Sequence, residues 1–141
     1  MNELDKVKEI LLTGGYTCVL CKEGLEYSST QRGVKPLLDL LDSKKDLRHA
    51  YAADKTVGAG AAHLYALLGV SAVWARVMSE RGRQILLQNG IEAICDDIVP
   101  FIINRAGDGM CPIESAVGNI DSPTEALAQI RLTLSNLANK S

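Results

Sequence analysis

The chain has 141 residues, of which 47% are apolar and 23% are charged, and its formal net charge is −2. This length and composition predict a single globular domain, 1–141, with a buried core. The near-neutral charge argues against nucleic acid as the main partner, because phosphate binding requires a basic surface. No apolar run approaches the roughly 18 residues of a membrane span, so we expect no membrane partner. Four unevenly spaced cysteines and the lack of a signal-peptide pattern predict reduced thiols and a cytoplasmic location.

The first half of the chain predicts a helix, a β-hairpin and a second helix. Apolar residues at helical spacing in 3–13 predict the first helix, which is followed by two glycines. Residues 16–22 and 25–29 predict two strands that are joined by a tight turn. A further apolar stripe over 34–41 predicts the second helix.

Strands and helices alternate in the second half of the chain. The predicted elements are a strand at 49–53, a helix that continues to Leu68, a strand at 71–78, a helix at 79–89, a strand at 91–95, a short helix from Cys111 and a last helix from Ser122. The pattern does not assign residues 96–105. Alternation after an opening hairpin predicts an α/β fold with a mixed sheet of about five strands and helices on both faces.

Several segments of the chain are typical of one known family. They are Arg32–Leu38, Ala53–Gly58, and Ile103–Arg105 leading to Gly109–Glu114. On these segments the chain resembles a small uncharacterised prokaryotic family, a domain of unknown function that is placed with the cytidine-deaminase-like fold. The resemblance covers roughly 16–137 and implies a three-layer cytidine-deaminase-like fold. It does not assign an activity.

The zinc-binding motifs of true deaminases are missing at both expected positions. A zinc deaminase needs His or Cys followed by x-Glu at one helix start, and Pro-Cys-x-x-Cys at the next. The matching positions are 32–35, which hold no His, Cys or Glu, and 53–57, which hold no cysteine. Because these ligands and the proton-shuttling Glu are missing, we expect no bound zinc, and we predict no metal site and no cofactor.

Asp54 and Lys55 are the first candidates for a functional site. They follow a predicted strand and precede a helix that opens with the small residues 58–62, so a ligand can approach closely. A carboxylate and an ammonium at this edge of a sheet are suited to proton transfer, and we predict that both are catalytic. The alternative is that Asp54 only caps the helix.

Arg32 and Lys35 lie at the start of the preceding predicted helix. Their side chains are able to bind a carboxylate or a phosphate, which predicts a ligand-binding role. A solvated basic turn is the alternative. Because two helix starts at the same end of adjacent strands face one crevice, we expect both residues to line one pocket with Asp54 and Lys55.

Cys111 directly precedes Pro112 at the predicted start of a short helix. The helix dipole favours a thiolate there, so we predict that Cys111 is a catalytic nucleophile; the alternative is a structural loop cysteine. Glu114, at the third helical position, is expected to reach back in a capping box and is a candidate ligand-binding residue. Asn104 and Arg105, on the preceding loop, are further candidate ligand-binding residues.

Other motifs in the chain predict structural roles. Cys18 and Cys21 form a C-x-x-C pattern, but residues three apart on a strand face opposite sides of the sheet. The segment Gly58–His63 is nearly G-x-G-x-x-G, but four residues separate it from the predicted strand and its last residue is His. We expect His63 to be a hydrogen-bonded packing residue and Tyr65 to belong to the core.

These patterns leave different classes of function open. One is a zinc-independent enzyme that acts on a small polar or nucleotide-like molecule. Another is a non-catalytic ligand-binding or sensor module that retains the pocket of the fold. The third is a structural subunit that forms a homo-oligomer.

Overall fold

The computed structural model describes residues 2–104 and 106–139. Its elements, in chain order, are α1 (Glu3–Gly14), β1 (Cys18–Lys22), β2 (Leu25–Ser29), α2 (Lys35–Ser43), β3 (Tyr51–Val57), α3 (Ala59–Leu68), β4 (Ala72–Ser79), α4 (Glu80–Gln88), β5 (Glu92–Val99), α5 (Pro112–Val117) and α6 (Pro123–Asn139). None of the helices in the described part of the chain is long and apolar enough to cross a membrane.

Five strands form one mixed sheet in the order β2-β1-β3-β4-β5. Strand β1 is antiparallel to both β2 and β3, whereas β3, β4 and β5 are parallel to one another. The α/β class and the mixed five-stranded sheet predicted from the sequence are therefore confirmed. Because parallel strands end at the same edge of a sheet, α3 and α4 both begin at that edge.

Two apolar clusters lie on the two faces of the sheet. Helix α1 buries Leu4, Val7 and Leu11 against a cluster that includes Val19 and Trp74. Each such side chain contributes about 1.5–3 kcal/mol when it is fully buried. On the other face, eight of the ten residues of α3 are buried, because α2, α4, α5 and α6 all pack on this helix.

Strand β3 is longer than its sequence predicts, and this changes the position of Asp54. The predicted strand ended at residue 53, whereas β3 continues to Val57 and α3 begins only at Ala59. Asp54 pairs with Cys18 of β1 on one side and with Ala75 of β4 on the other. Pairing with both neighbours outweighs the weak strand preference of Asp and Lys, so the prediction that a helix follows residue 53 was wrong.

Strand β5 is also longer than predicted. It continues past residue 95 to Val99, which pairs with Ser79 at the end of β4. The unassigned run therefore begins as an edge strand, and a bridge between Ile103 and Met110 closes the loop that follows. The first turn of α4 lies against the end of β3, because a Cβ atom on Gly82 would be only 3.0 Å from the Val57 carbonyl oxygen.

Candidate functional site

Asp54 is half-buried, and its carboxyl group lies between β3 and α3. Its Oδ2 accepts a hydrogen bond from the Tyr65 hydroxyl at 2.7 Å, and its Oδ1 accepts one from the Thr56 amide at 3.2 Å. Burial raises the pKa of Asp54 from 3.8 to about 7, although both hydrogen bonds oppose this change. The carboxyl group therefore exchanges a proton near neutral pH.

Tyr65 connects Asp54 to the thiol of Cys18. The Tyr65 oxygen lies 3.4 Å from the Cys18 sulfur. The single hydroxyl hydrogen of Tyr65 points to Asp54, so the Cys18 thiol is the donor in this second contact. Burial raises the pKa of the thiol and also raises that of Tyr65 well above its ordinary value. The three side chains form a directed hydrogen-bond chain, from Cys18 through Tyr65 to Asp54, which we name the relay.

A cavity beside Cys18 gives the relay a route to the surface. Its volume is about 560 Å³, within the roughly 300–1,000 Å³ of small-molecule sites. Cys18 and Ser29 lie on its hairpin side, and Lys45 also lines it. The opposite wall is one face of α2, formed by Pro36, Asp39, Leu40 and Ser43. A small molecule in this cavity is therefore placed next to the thiol end of the relay.

The predicted basic residues lie at the same end of the sheet as the relay. The Thr17 hydroxyl donates to the Gln31 carbonyl at 2.6 Å, and the Thr17 carbonyl accepts from the Lys55 amide at 3.0 Å, which brings the segments of Arg32 and Lys55 together. Both side chains are exposed, as is that of Lys35, which pairs with Asp39. None of the basic residues 32, 35 and 55 lines the cavity. That they share one pocket with Asp54 stays a prediction.

Asp54 is not the N-cap of α3, so this alternative was wrong. The N-cap is Gly58, which directly follows β3, and the first free amide of the helix is satisfied from elsewhere. The near dinucleotide motif thus lies at the strand-to-helix turn and not inside the helix. The Glu114 carboxylate and the Ile113 side chain nevertheless fill the space next to Gly58 and Gly60.

Glu114 connects three separate segments. Its buried carboxylate accepts hydrogen bonds from the amide of Ala59 at 2.8 Å, the hydroxyl of Ser79 at 3.0 Å and the amide of Ile102 at 2.8 Å. The predicted capping box within its own helix was wrong, because the carboxylate points to the start of α3 instead. The charge stabilises the positive end of that helix.

Cys111 is the N-cap of α5, and Pro112 is its first residue, as predicted. Cys111 is half-buried. The side chain of Asn104 donates a hydrogen bond to Asp108 within its own loop. Among the contacts of residues 2–104 and 106–139, none joins Cys111 or Asn104 to Asp54. Arg105 lies outside the described residues. The catalytic role of Cys111 stays a prediction, and the thiol next to Asp54 is that of Cys18.

The relay includes two residues whose sequence pattern predicted only structural roles. Cys18 and Cys21 face opposite sides of the sheet, as predicted, and this is why Cys18 reaches Tyr65. Tyr65 is fully buried, as predicted for the core, but its hydroxyl has a polar partner. His63 is a packing residue whose Nε2 lies 2.9 Å from the Ile120 carbonyl, as predicted.

The relay contains fewer metal-binding side chains than a zinc site needs. Cys18 and Asp54 are its two groups of a type that binds metal ions, whereas a structural or catalytic zinc needs three or four protein ligands. Among residues 2–104 and 106–139, no three His, Cys, Asp or Glu side chains are grouped so that they could hold a metal ion.

Comparison with known proteins places the chain near one family. A family model described as TM1506, a domain of unknown function (DUF1893), matches residues 6–134. The chain is also similar to the crystal structure of a DUF1893 family protein, TM1506, from Thermotoga maritima, at 2.70 Å resolution. The TM-score is 0.84 at 26% sequence identity, over 96% of this chain and 90% of the other. No match was found among curated proteins.

Proposed function

Because the chain belongs to the DUF1893 family, a domain of unknown function, its activity has to be inferred from its own site, and we propose a zinc-independent enzyme that acts on a small polar or nucleotide-like molecule. The observation that carries this proposal is the relay, which joins a titrating carboxyl group to a cavity of ligand size. A buried carboxyl group with a pKa near 7 is a common property of general acids and bases.

The relay assigns a different task to each of its residues. Asp54 holds or releases the proton, and Tyr65 passes it across the buried gap. Cys18 presents the end of the relay to the molecule in the cavity. Arg32 and Lys55, which are exposed at the same end of the sheet, hold a charged group of the ligand outside the cavity.

We also propose a more specific fold for the chain than the α/β class. A helix and hairpin followed by alternating helices and strands support a cytidine-deaminase-like, three-layer fold that lacks the zinc motifs. All four cysteines are free thiols, which supports the cytoplasm as the location.

One observation favours the alternative of a non-catalytic ligand-binding or sensor module. Burial raises the pKa of Cys18, so its thiol keeps its proton at neutral pH and is a weak nucleophile at rest. A module that only binds its ligand needs no thiolate. In this alternative the relay registers ligand binding by a change in the protonation of Asp54.

A comparison of D54N with the wild type tests both candidates. Nucleosides, nucleotides and other small polar metabolites are screened by thermal shift, since a bound ligand raises the melting temperature. Each ligand found is then incubated with the wild type, D54N and the surface control D5N, and its consumption is followed by mass spectrometry. Consumption by the wild type and D5N but not by D54N supports the enzyme. Binding without consumption supports the sensor, and equal consumption by all three contradicts the role of Asp54.

A further inference from the structure

We propose that Cys18 forms a transient thioester with an acyl group of the molecule held in the cavity. This inference rests on the proposed enzyme function and names its substrate class, an ester or thioester of a small carboxylic acid. Cys18 lines the cavity, and its hydrogen bond to Tyr65 gives its proton a defined path away from the sulfur. The sulfur itself thus remains able to bond to a ligand atom.

The hairpin places a hydrogen-bond donor beside the thiol. Ser29 is the cross-strand partner of Cys18, so both side chains lie on the same face of the hairpin and both line the cavity. The Ser29 oxygen accepts from the Gln31 amide at 3.0 Å, and its own hydrogen has no acceptor among the residues that the structure describes. This hydroxyl is placed to donate to a carbonyl oxygen as negative charge develops there.

The shape of the cavity limits the acyl group to a small one. Cys18 is only 5% exposed, so a bulky acyl chain cannot reach its sulfur. Leu20, Pro36 and Leu40 supply apolar surface to the cavity lining. Asp39 and Lys45 lie on the cavity wall and are able to hold a polar leaving group.

In the proposed step, the Cys18 sulfur attacks the carbonyl carbon, a C–S bond forms and the bond from that carbon to the leaving group breaks. The thiol proton passes to the Tyr65 oxygen while the hydroxyl proton of Tyr65 passes to the Asp54 carboxylate. The leaving group departs as an anion with the electrons of the broken bond, and Asp54 keeps the proton that left the thiol. Water, the second reactant, then attacks the thioester and releases the acyl group as a carboxylic acid, and the proton on Asp54 returns along the relay to the Cys18 sulfur and restores the thiol.

The full chain treated with p-nitrophenyl acetate tests this step. Release of p-nitrophenolate is followed in a stopped-flow instrument, and peptide mass mapping locates the acetyl group. We expect an initial burst with acetyl on Cys18. Cys111, which is half-buried and outside the relay, is the competing thiol of the same chain, and its acetylation is measured alongside that of Cys18. Y65F should slow acetylation of Cys18 roughly a hundredfold, and S29A roughly tenfold, with Cys111 unchanged.

The pH dependence separates a proton relay from a purely structural role. The wild-type rate at Cys18 should rise as the pH increases through about 7, where Asp54 loses its proton, and this rise should be absent in D54N. The titratable side chains that contact Asp54 are Tyr65 from α3 and, through it, Cys18 from β1; both keep their protons over this range. If Y65F does not fold, the pH profile of D54N carries the test alone.

The outcomes distinguish the two proposals. Acetyl on Cys111 but not on Cys18, or equal rates at Cys18 in the wild type and Y65F, overturns the thioester. If Cys18 carries no acetyl but ligand consumption still depends on Asp54, the thioester fails and the enzyme stands. If neither depends on Asp54, both fail.

Discussion

The hydroxyl of Tyr65 donates to the carboxyl of Asp54 across 2.7 Å, and the two residues lie on opposite sides of the turn between β3 and α3. The bond therefore joins the strand to the helix that follows it. It also gives the half-buried carboxylate a donor from a fully buried side chain, and hydrogen bonds in such a network are coupled to one another. Replacement of either residue is expected to change both stability and titration.

Asp54→Asn should remove a pH dependence of folding. The pKa of Asp54 is about 7 in the folded protein against an ordinary 3.8, so folding favours its protonated form. The stabilisation is complete below pH 4, is lost as the pH rises to about 7, and stays lost above it; the total is up to about 4 kcal/mol. Urea unfolding at pH 5 and pH 8 should show a smaller difference for D54N than for the wild type. An equal difference in both proteins would contradict the raised pKa.

Tyr65→Phe should destabilise the fold by about 1–3 kcal/mol, because a buried donor and acceptor are removed. It should also raise the pKa of Asp54 further, since the hydrogen bond from Tyr65 lowers it. Urea unfolding measures the first effect, and carboxyl ¹³C NMR titration measures the second. Tyr51→Phe, on the opposite face of the sheet, is the matched control. An unchanged titration in Y65F would show that the relay is not formed in solution.

Glu114→Gln should cost about 2–4 kcal/mol of the free energy of unfolding. The carboxylate accepts three hydrogen bonds, two of them from backbone amides. In the Gln variant the side-chain NH₂ group, which is a donor, would face one of these donors. Chemical denaturation at pH 7 measures the loss. Glu125→Gln, which is exposed in the first turn of α6, is the control and should change stability by less than about 0.5 kcal/mol. Similar losses in both variants would contradict the role of Glu114.

Gly82→Ala should destabilise the protein by about 1–3 kcal/mol through overpacking. A Cβ atom there would lie 3.0 Å from backbone atoms of Val57 and Gly58, which have little room to move. Gly109→Ala is the matched control, because its Cβ would be 3.7 Å from Asn104 and should be tolerated. The melting temperatures of both variants are compared by thermal unfolding. A G82A protein as stable as G109A would contradict overpacking at residue 82.

The protein purified without chelators should contain no near-stoichiometric zinc. This prediction follows from the sequence, which lacks both ligand motifs of the zinc deaminases at 32–35 and 53–57. Inductively coupled plasma mass spectrometry of the purified chain measures the metal content. About one zinc per chain would reject the zinc-independent enzyme.

The sequence predicts the sheet well because its signals are local. Apolar spacing, turns and helix caps define most elements, and Cys111 with Pro112 correctly marks the start of α5. The end of β3 was wrong because pairing with two neighbouring strands, which is not visible in a local pattern, holds Asp54 and Lys55 in the strand. Element boundaries that depend on tertiary pairing are the hardest to predict from propensity.

The site was predicted in part for the same reason. Asp54 was a candidate because it precedes a helix that opens with the small residues 58–62, whereas the local sequence around Tyr65 gave no sign of a hydrogen bond to Asp54. Cys18 was predicted to have only a structural role on its strand, because its contact to Tyr65, 47 residues away, is a tertiary one. Glu114 was assigned to its own helix, although its donors belong to three other segments.

The contacts of Glu114 also have a consequence for local opening of the protein. The amides of Ala59 and Ile102 belong to segments 55 and 12 residues away from Glu114, yet both donate to the same carboxylate. A fluctuation that lifts α5 away from α3 must break both hydrogen bonds at once. Their hydrogen exchange should therefore proceed through one opening event with one free energy, which makes the first turn of α3, residue 102 and α5 a single cooperative unit.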